Sequence, residues 1–278
     1  MFDCVNQVAV CAHRGDCVHG MQNTMTAFRY AIGLGVDMVE TDVRMSKDGQ
    51  LFLMHDPNLE DLTDGTGRIS NHTYEEIRSM NVAVRGIASD LVSIPDFEPV
   101  ALLEELLDLA VDHPALMLNI EIKDKPDEVD EAFAFECARK TSDMLATRGL
   151  GSRTWINSFS GRIVEWVHTI HGDTFHYHGF FPWHIMGSMQ TNPWELCDVA
   201  CVLNWVLRTD GSVHKQHTVP CPAAWYKQLL RIKVMPLTVS FYGDMQAYDD
   251  AISYGSRILM ADDPAAMLAY VRAKGLHD

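Results

Sequence analysis

The chain has 278 residues, with 22 Lys and Arg against 38 Asp and Glu, and a formal net charge of -16. That balance excludes nucleic acid as a partner, because such binding rests on Lys and Arg neutralising phosphates. The length suits one α/β barrel domain over residues 1–278, and a hydrophobic content of 47% furnishes its core. No apolar run is long enough to span a bilayer, so no stable membrane insertion is expected. The opening MFDCVNQVAV lacks the basic and apolar regions of a signal peptide. Seven cysteines without a CxxC pair read as reduced thiols, which points to a cytoplasmic protein. Nothing in the pattern specifies an oligomeric state.

In chain order, Val8–Ala12 reads as a strand, followed by a loop carrying His13-Arg14-Gly15. A helix is expected over Thr24–Leu34, where Ala27, Tyr30, Ala31 and Leu34 recur at helical spacing. Asn23 and Thr24 offer its N-cap, and Gly33 and Gly35 its stop. Met38–Arg44 and Leu51–Met54 are strands joined through the Asp48-Gly49 turn signal. Residues 57–100 read as a loop-rich insertion with little structure of its own, apart from a capping box at Thr73 and Glu76. Beyond it strands and helices alternate. Strands are expected at Leu116–Ile122, Thr154–Asn157, Thr174–His178, Val199–Leu203, Val234–Val239 and Arg257–Met260. Helices are expected at Leu102–Val111, Pro126–Arg148, Gly161–Ile170, Ala223–Ile232, Met245–Tyr254 and Pro264–Lys274. Eight strands, setting aside the hairpin partner, argue for a closed α/β architecture, the TIM (β/α)8 barrel, with an open doubly wound sheet as the alternative.

In such a barrel the chemistry sits at the C-terminal ends of the strands. Side chains two apart on a strand share a face, so Glu40 and Asp42 point together, and a bound cation would offset their repulsion. Asn119, Glu121 and Lys123 likewise share a face, which is costly unless they meet a ligand or, as the simpler alternative, form an ion pair. His13 and His55 each end an apolar run. The aromatic segment FHYHGFFPWH, with Trp205 beyond it, suggests a substrate pocket built from His178, Phe181, Trp183 and Trp205. Core aromatics with histidines on the barrel surface are the plainer reading, and a transition-metal site at His176 and His178 lacks a third ligand.

These residues resemble the glycerophosphodiester phosphodiesterases, a branch of the phosphatidylinositol-phosphodiesterase-like TIM barrels. The resemblance rests on His13-Arg14-Gly15, Asn23-Thr24 with Ala27-Phe28, Gly35-Val36-Asp37 with Glu40-Thr41-Asp42-Val43, Asp48-Gly49 and His55-Asp56. It continues through Glu121-Ile122-Lys123, Ser158-Phe159 and Asp262-Asp263-Pro264. It implies that Glu40, Asp42 and Glu121 ligate one divalent cation, Mg²⁺ or Ca²⁺ given all-oxygen donors. It further implies His13 and His55 as general acid and base, and Arg14 and Lys123 as contacts to phosphate oxygens. The implied activity is cleavage of a small-molecule glycerophosphodiester to glycerol 3-phosphate and an alcohol, by water or through a cyclic phosphate. The chain departs from the family at Met21-Gln22, where a proline and a glutamate are usual, and at Leu237-Thr238, where a Trp often precedes the Thr. These departures and the aromatic segment raise a sugar phosphodiester of the agrocinopine type as an alternative substrate. A phospholipase D-like lyase and a non-catalytic binder of phosphorylated ligands are the remaining alternatives.

Overall fold

A barrel strand covered by helices on its outer face reads as nearly continuous apolar sequence. The first strand, β1 (Ala9–His13), follows that rule until its last residue. The computed structural model describes residues 4–83, 95–207, 213–215, 221–239 and 245–278. Helix α1 (Met25–Leu34) is capped by the Thr24 hydroxyl, which accepts from Ala27 N, and ends at Gly35 in the left-handed region. Strand β2 (Met38–Met45) is buried along its whole length. Its first half pairs in parallel with β1, and its second half pairs antiparallel with the short β3 (Leu51–Leu53).

The insertion has more structure than its composition suggests. It holds 3-10 turns at Leu59–Asp61 and Ile69–Asn71 and the helix α2 (Tyr74–Arg78), opened by the Thr73–Glu76 capping box. Its apolar residues Leu59, Leu62, Ile69 and Ile77 bury a small core of their own against Phe52 and Met54. Residues 84–94 of this insertion lie outside the described residues.

The remaining elements follow as α3 (Leu103–Val111), β4 (Met117–Ile122), α4 (Glu131–Thr147), β5 (Thr154–Asn157), α5 (Gly161–His171) and β6 (His176–Phe181). Then come α6 (Pro193–Leu196), β7 (Val199–Val202), β8 (Trp205–Leu207), β9 (Val213–Lys215), α7 (Ala223–Arg231) and β10 (Met235–Val239). The chain ends with α8 (Met245–Ser253), β11 (Ile258–Ala261) and α9 (Pro264–Ala273). Strands β1, β2, β4, β5, β6, β7, β10 and β11 pair in parallel, and pairing of β1 with both β2 and β11 closes the barrel. The antiparallel β8–β9 pair stands apart from it.

Strand β6 begins later and runs further than its sequence suggests, because Gly179 extends rather than breaks it. A Cβ at Gly179 would lie 2.8 Å from the Trp183 ring and 3.0 Å from Cys197 Sγ, so glycine is what lets the following segment close onto the strand's outer face. Among the described residues no helix is long and apolar enough to cross a membrane.

Candidate active site

The parity of each strand decides which side chains enter the barrel. On β2 the polar residues Glu40 and Asp42 take the inward face, while Val39 and Val43 join the apolar core. Parallel register sets Asn119 beside Glu40 and Glu121 beside Asp42. It also sets His13 beside Glu40. One oxygen from each of Glu40, Asp42 and Glu121 lies within 4.8 Å of the others, and all three residues are buried. Among the described residues this is the group of His, Cys, Asp or Glu able to share a metal ion.

Two cations stand among these carboxylates. Arg14 Nε lies 3.2 Å from Asp42 Oδ2. Lys123 Nζ lies 2.7 Å from Glu121 Oε1 and 3.3 Å from Asp42 Oδ1. Burial pushes the Asp42 carboxyl up, but Lys123 and Arg14 outweigh it and hold the group below the usual carboxylate range. Glu40 goes the other way: burial, and then the neighbouring Asp42, raise it well above an ordinary glutamate. Burial lowers the Lys123 ammonium less than Glu121 and Asp42 raise it, so it stays charged.

With all three carboxylates ionised, against two cations, one negative charge remains, and its cost is what raises Glu40. A divalent cation would turn that into one positive charge, which matches a phosphodiester monoanion. The all-oxygen donor set and the repulsion that Glu40 feels from Asp42 both fit a hard divalent ion.

The loop around this group is held in unusual backbone geometry. Arg14 and Asn23 both have positive φ, 57° and 59°. Asn tolerates that region better than Arg, and such outliers persist only where surroundings fix them. Here the Arg14 N–H donates to the Glu40 carbonyl and the Asn23 N–H to the Arg14 carbonyl. The Asn23 amide donates to Asp42 Oδ2 at 2.8 Å, and its carbonyl accepts from the Thr41 hydroxyl. Gly15 packs so closely that a Cβ would lie 2.7 Å from that of Ala27. The Arg14 guanidinium also donates to the Gln22 side-chain carbonyl. The residue that departs from the family pattern therefore still holds Arg14, but with a neutral group.

Both strand-end histidines have a carboxylate behind them. His13 Nδ1 is 2.6 Å from Asp262 Oδ1, and its Nε2 is 3.9 Å from Glu40 Oε2. His55 Nδ1 is 3.0 Å from Asp56 Oδ1. Such a partner fixes the ring and its tautomer, leaving Nε2 for chemistry. The backbone carbonyl of His55 accepts from Arg44 Nε at 2.9 Å, and Arg44 is itself buried beside Asp124 at 3.0 Å.

These groups open into one cavity of about 1020 Å³ lined by His13, Arg14, Glu40, His55, Glu121 and Lys123. Asp42 stays behind the lining, held by Arg14, Lys123 and Asn23. Of the four residues suggested for the substrate pocket, His178 and Trp205 line the cavity. Phe181 and Trp183 do not, which corrects the reading of the aromatic segment. Phe181 has the outward parity on β6 and packs with Ala200, Val202 and Tyr226, and Trp183 sits over Gly179 outside the barrel. Phe180, one residue earlier, takes the inward position and stacks on Phe159 with ring centroids 3.8 Å apart. His176 is turned to Asp198 at 2.7 Å and His178 to Asn119 at 3.0 Å, so the two do not share a ligand.

Residues 13–213 match the model of the glycerophosphoryl diester phosphodiesterase family. The chain belongs to this family. Among its relatives, a glycerophosphodiester phosphodiesterase of Bacillus altitudinis is 39% identical over 119 residues, covering 40% of this chain and 44% of that protein. One from Caldanaerobacter subterraneus subsp. tengcongensis is 36% identical over 114 residues, covering 41% and 44%. The matched segment thus spans less than half the length of these relatives. In three dimensions the fold extends over nearly the whole chain. A structure from Silicibacter pomeroyi is similar with a TM-score of 0.78 at 20% identity, covering 98% of this chain and 96% of that one. A phosphodiesterase from Oleispira antarctica, in complex with sn-glycerol-3-phosphate as product, is similar with a TM-score of 0.70 at 18% identity, covering 95% and 96%.

Proposed function

We propose that this protein is a metal-dependent phosphodiesterase that cleaves a glycerophosphodiester to glycerol 3-phosphate and an alcohol. The observation that carries this reading is the convergence of three carboxylates, two cations and two carboxylate-backed histidines on one cavity. A binding protein for phosphorylated ligands needs the cations but has no use for two oriented imidazoles.

Glu40, Asp42 and Glu121 would hold one Mg²⁺ or Ca²⁺, whose chemistry is to neutralise charge developing on the phosphoryl oxygens. Arg14 and Lys123, on the same face, add donors for those oxygens. One histidine takes the proton of the attacking hydroxyl and the other gives a proton to the departing alkoxide. The new P–O bond thus forms as the old one breaks, and the two rings exchange protonation states. The product bound by the Oleispira antarctica relative supports sn-glycerol 3-phosphate as the retained half. Seven cysteines in the thiol form suit a reducing, cytoplasmic setting.

The test is a panel of glycerophosphodiesters read by release of phosphomonoester. Turnover in the wild type, with His13→Ala inactive yet still binding divalent metal, is the expected result. Binding of the panel without release of any phosphomonoester would leave a binding protein instead.

A further inference from the structure

Three buried polar side chains on the inner face have hydrogen-bonding atoms that the protein leaves unused. Asn119, Asn157 and His178 lie on the consecutive strands β4, β5 and β6, with Asn157 in register between Glu121 and His178. The Asn157 amide donates to the Asn119 carbonyl at 2.8 Å, and His178 Nδ1 lies 3.0 Å from the same oxygen. That leaves Asn119 Nδ2, Asn157 Oδ1 and His178 Nε2 without partners. The three residues are 1%, 1% and 2% exposed, yet all of them line the cavity. Unsatisfied polar atoms at such depth are costly, and three on adjacent strands point to an occupant.

We propose that Asn119, Asn157 and His178 form a hydroxyl-binding floor that takes the polyol part of the phosphodiester substrate. This rests on the phosphodiesterase reading and names a substrate feature within it. As the atoms stand, the floor offers one donor and two acceptors. Turning both amides over would reverse those counts and still leave donors and acceptors together. A hydroxyl both donates and accepts, so it satisfies either arrangement. An anion would face lone pairs, and a trimethylammonium group has no hydrogen to give them. Burial pushes His178 down to about 3, so its ring is neutral at ordinary pH and adds no charge to the floor. The stacked Phe159 and Phe180, with Trp205 against Phe159, supply an adjoining apolar wall for the carbon side of a polyol.

The experiment compares sn-glycerol 3-phosphate with n-propyl phosphate, which keeps the phosphate and three carbons but has no hydroxyl. Both are titrated calorimetrically into the wild type, His178→Phe, His178→Gln and Asn157→Leu in excess magnesium, with thermal melts to confirm folding. The wild type should favour glycerol 3-phosphate by about tenfold to a hundredfold, as expected when the analogue leaves buried groups unpaired. His178→Phe and Asn157→Leu should bring the ratio close to one, and His178→Gln, which keeps a polar edge, should retain part of it. Equal binding of the two phosphates by the wild type would mean that the floor holds water only, and would overturn the proposal. So would a preference that survives in every folded variant. Failure of the wild type to bind either phosphate would instead bring down the phosphodiesterase reading, and this inference with it.

Discussion

Arg44→Met removes the cation that ties the His55 loop to the barrel. The Arg44 side chain is 5% exposed and lies 3.0 Å from Asp124, whose side chain is 1% exposed. Burial already raises the Asp124 carboxyl in spite of Arg44. Removing one member of a buried pair strands the other, which costs about 3–5 kcal/mol. Adding Asp124→Asn removes the stranded charge, and its amide oxygen can still accept from Met45 N, now made at 2.8 Å. The double variant should therefore recover to within about 1–2 kcal/mol of wild type. Activity should not follow stability, because the Arg44–His55 carbonyl bond at 2.9 Å is absent from both variants. A misplaced His55 should lower kcat by about ten- to a hundredfold. Urea unfolding and steady-state turnover of the single and double variants make the check. Wild-type stability in Arg44→Met would refute the buried-pair argument. Wild-type turnover in the stable double variant would refute the claim that Arg44 positions His55.

Three further outcomes follow from the site. His178 has a depressed pKa of about 3 in the fold, so below its ordinary range the unfolded chain takes up a proton that the native state refuses. Stability should then fall by about 2 kcal/mol between pH 7 and pH 5, and His178→Gln should flatten that slope in urea melts; parallel slopes would contradict the buried neutral ring. Asp262→Asn should lower kcat by about tenfold with unchanged metal binding, since it weakens the group that orients His13 at 2.6 Å; turnover and metal titration separate the two effects. Gln22→Glu should raise KM severalfold by giving Arg14 a second anionic partner beside Asp42, and a fall in KM would contradict the placement of Arg14 at the substrate phosphate.

The barrel was legible in the sequence because apolar strands alternating with amphipathic helices leave few other ways to bury both. Thr154–Asn157 is bounded as its sequence suggests, and most other elements differ by a residue or two at their ends. The carboxylate pair was legible for a similar reason, since period-two parity sets Glu40 with Asp42; Glu121 joined them only through the family resemblance, and the parallel register that brings it across from Asp42 is a property of the fold. Parity also shows where the aromatic segment was misread. Counting from inward-facing His178 selects Phe180 and rejects Phe181, and Gly179 marks where the chain folds back with Trp183 outside. Asp263 caps α9, while its neighbour Asp262 reaches His13. The Asp262 contact spans 249 positions, and local pattern carries no trace of such a pairing. Arg44 was missed although its parity with Glu40 and Asp42 was visible, because an arginine near a strand end more often faces water. The insertion's small core forms against Phe52 and Met54, and composition alone does not disclose that partner.

The proposed phosphodiesterase depends on one divalent cation held by Glu40, Asp42 and Glu121. The most direct test of that dependence is calorimetric titration of chelator-treated protein with Mg²⁺ and Ca²⁺, paired with turnover of a glycerophosphodiester at each point. One equivalent of metal should bind, turnover should rise with occupancy, and Asp42→Asn with Glu121→Gln should abolish both. Full turnover in chelator, with no metal detected by elemental analysis, would contradict it.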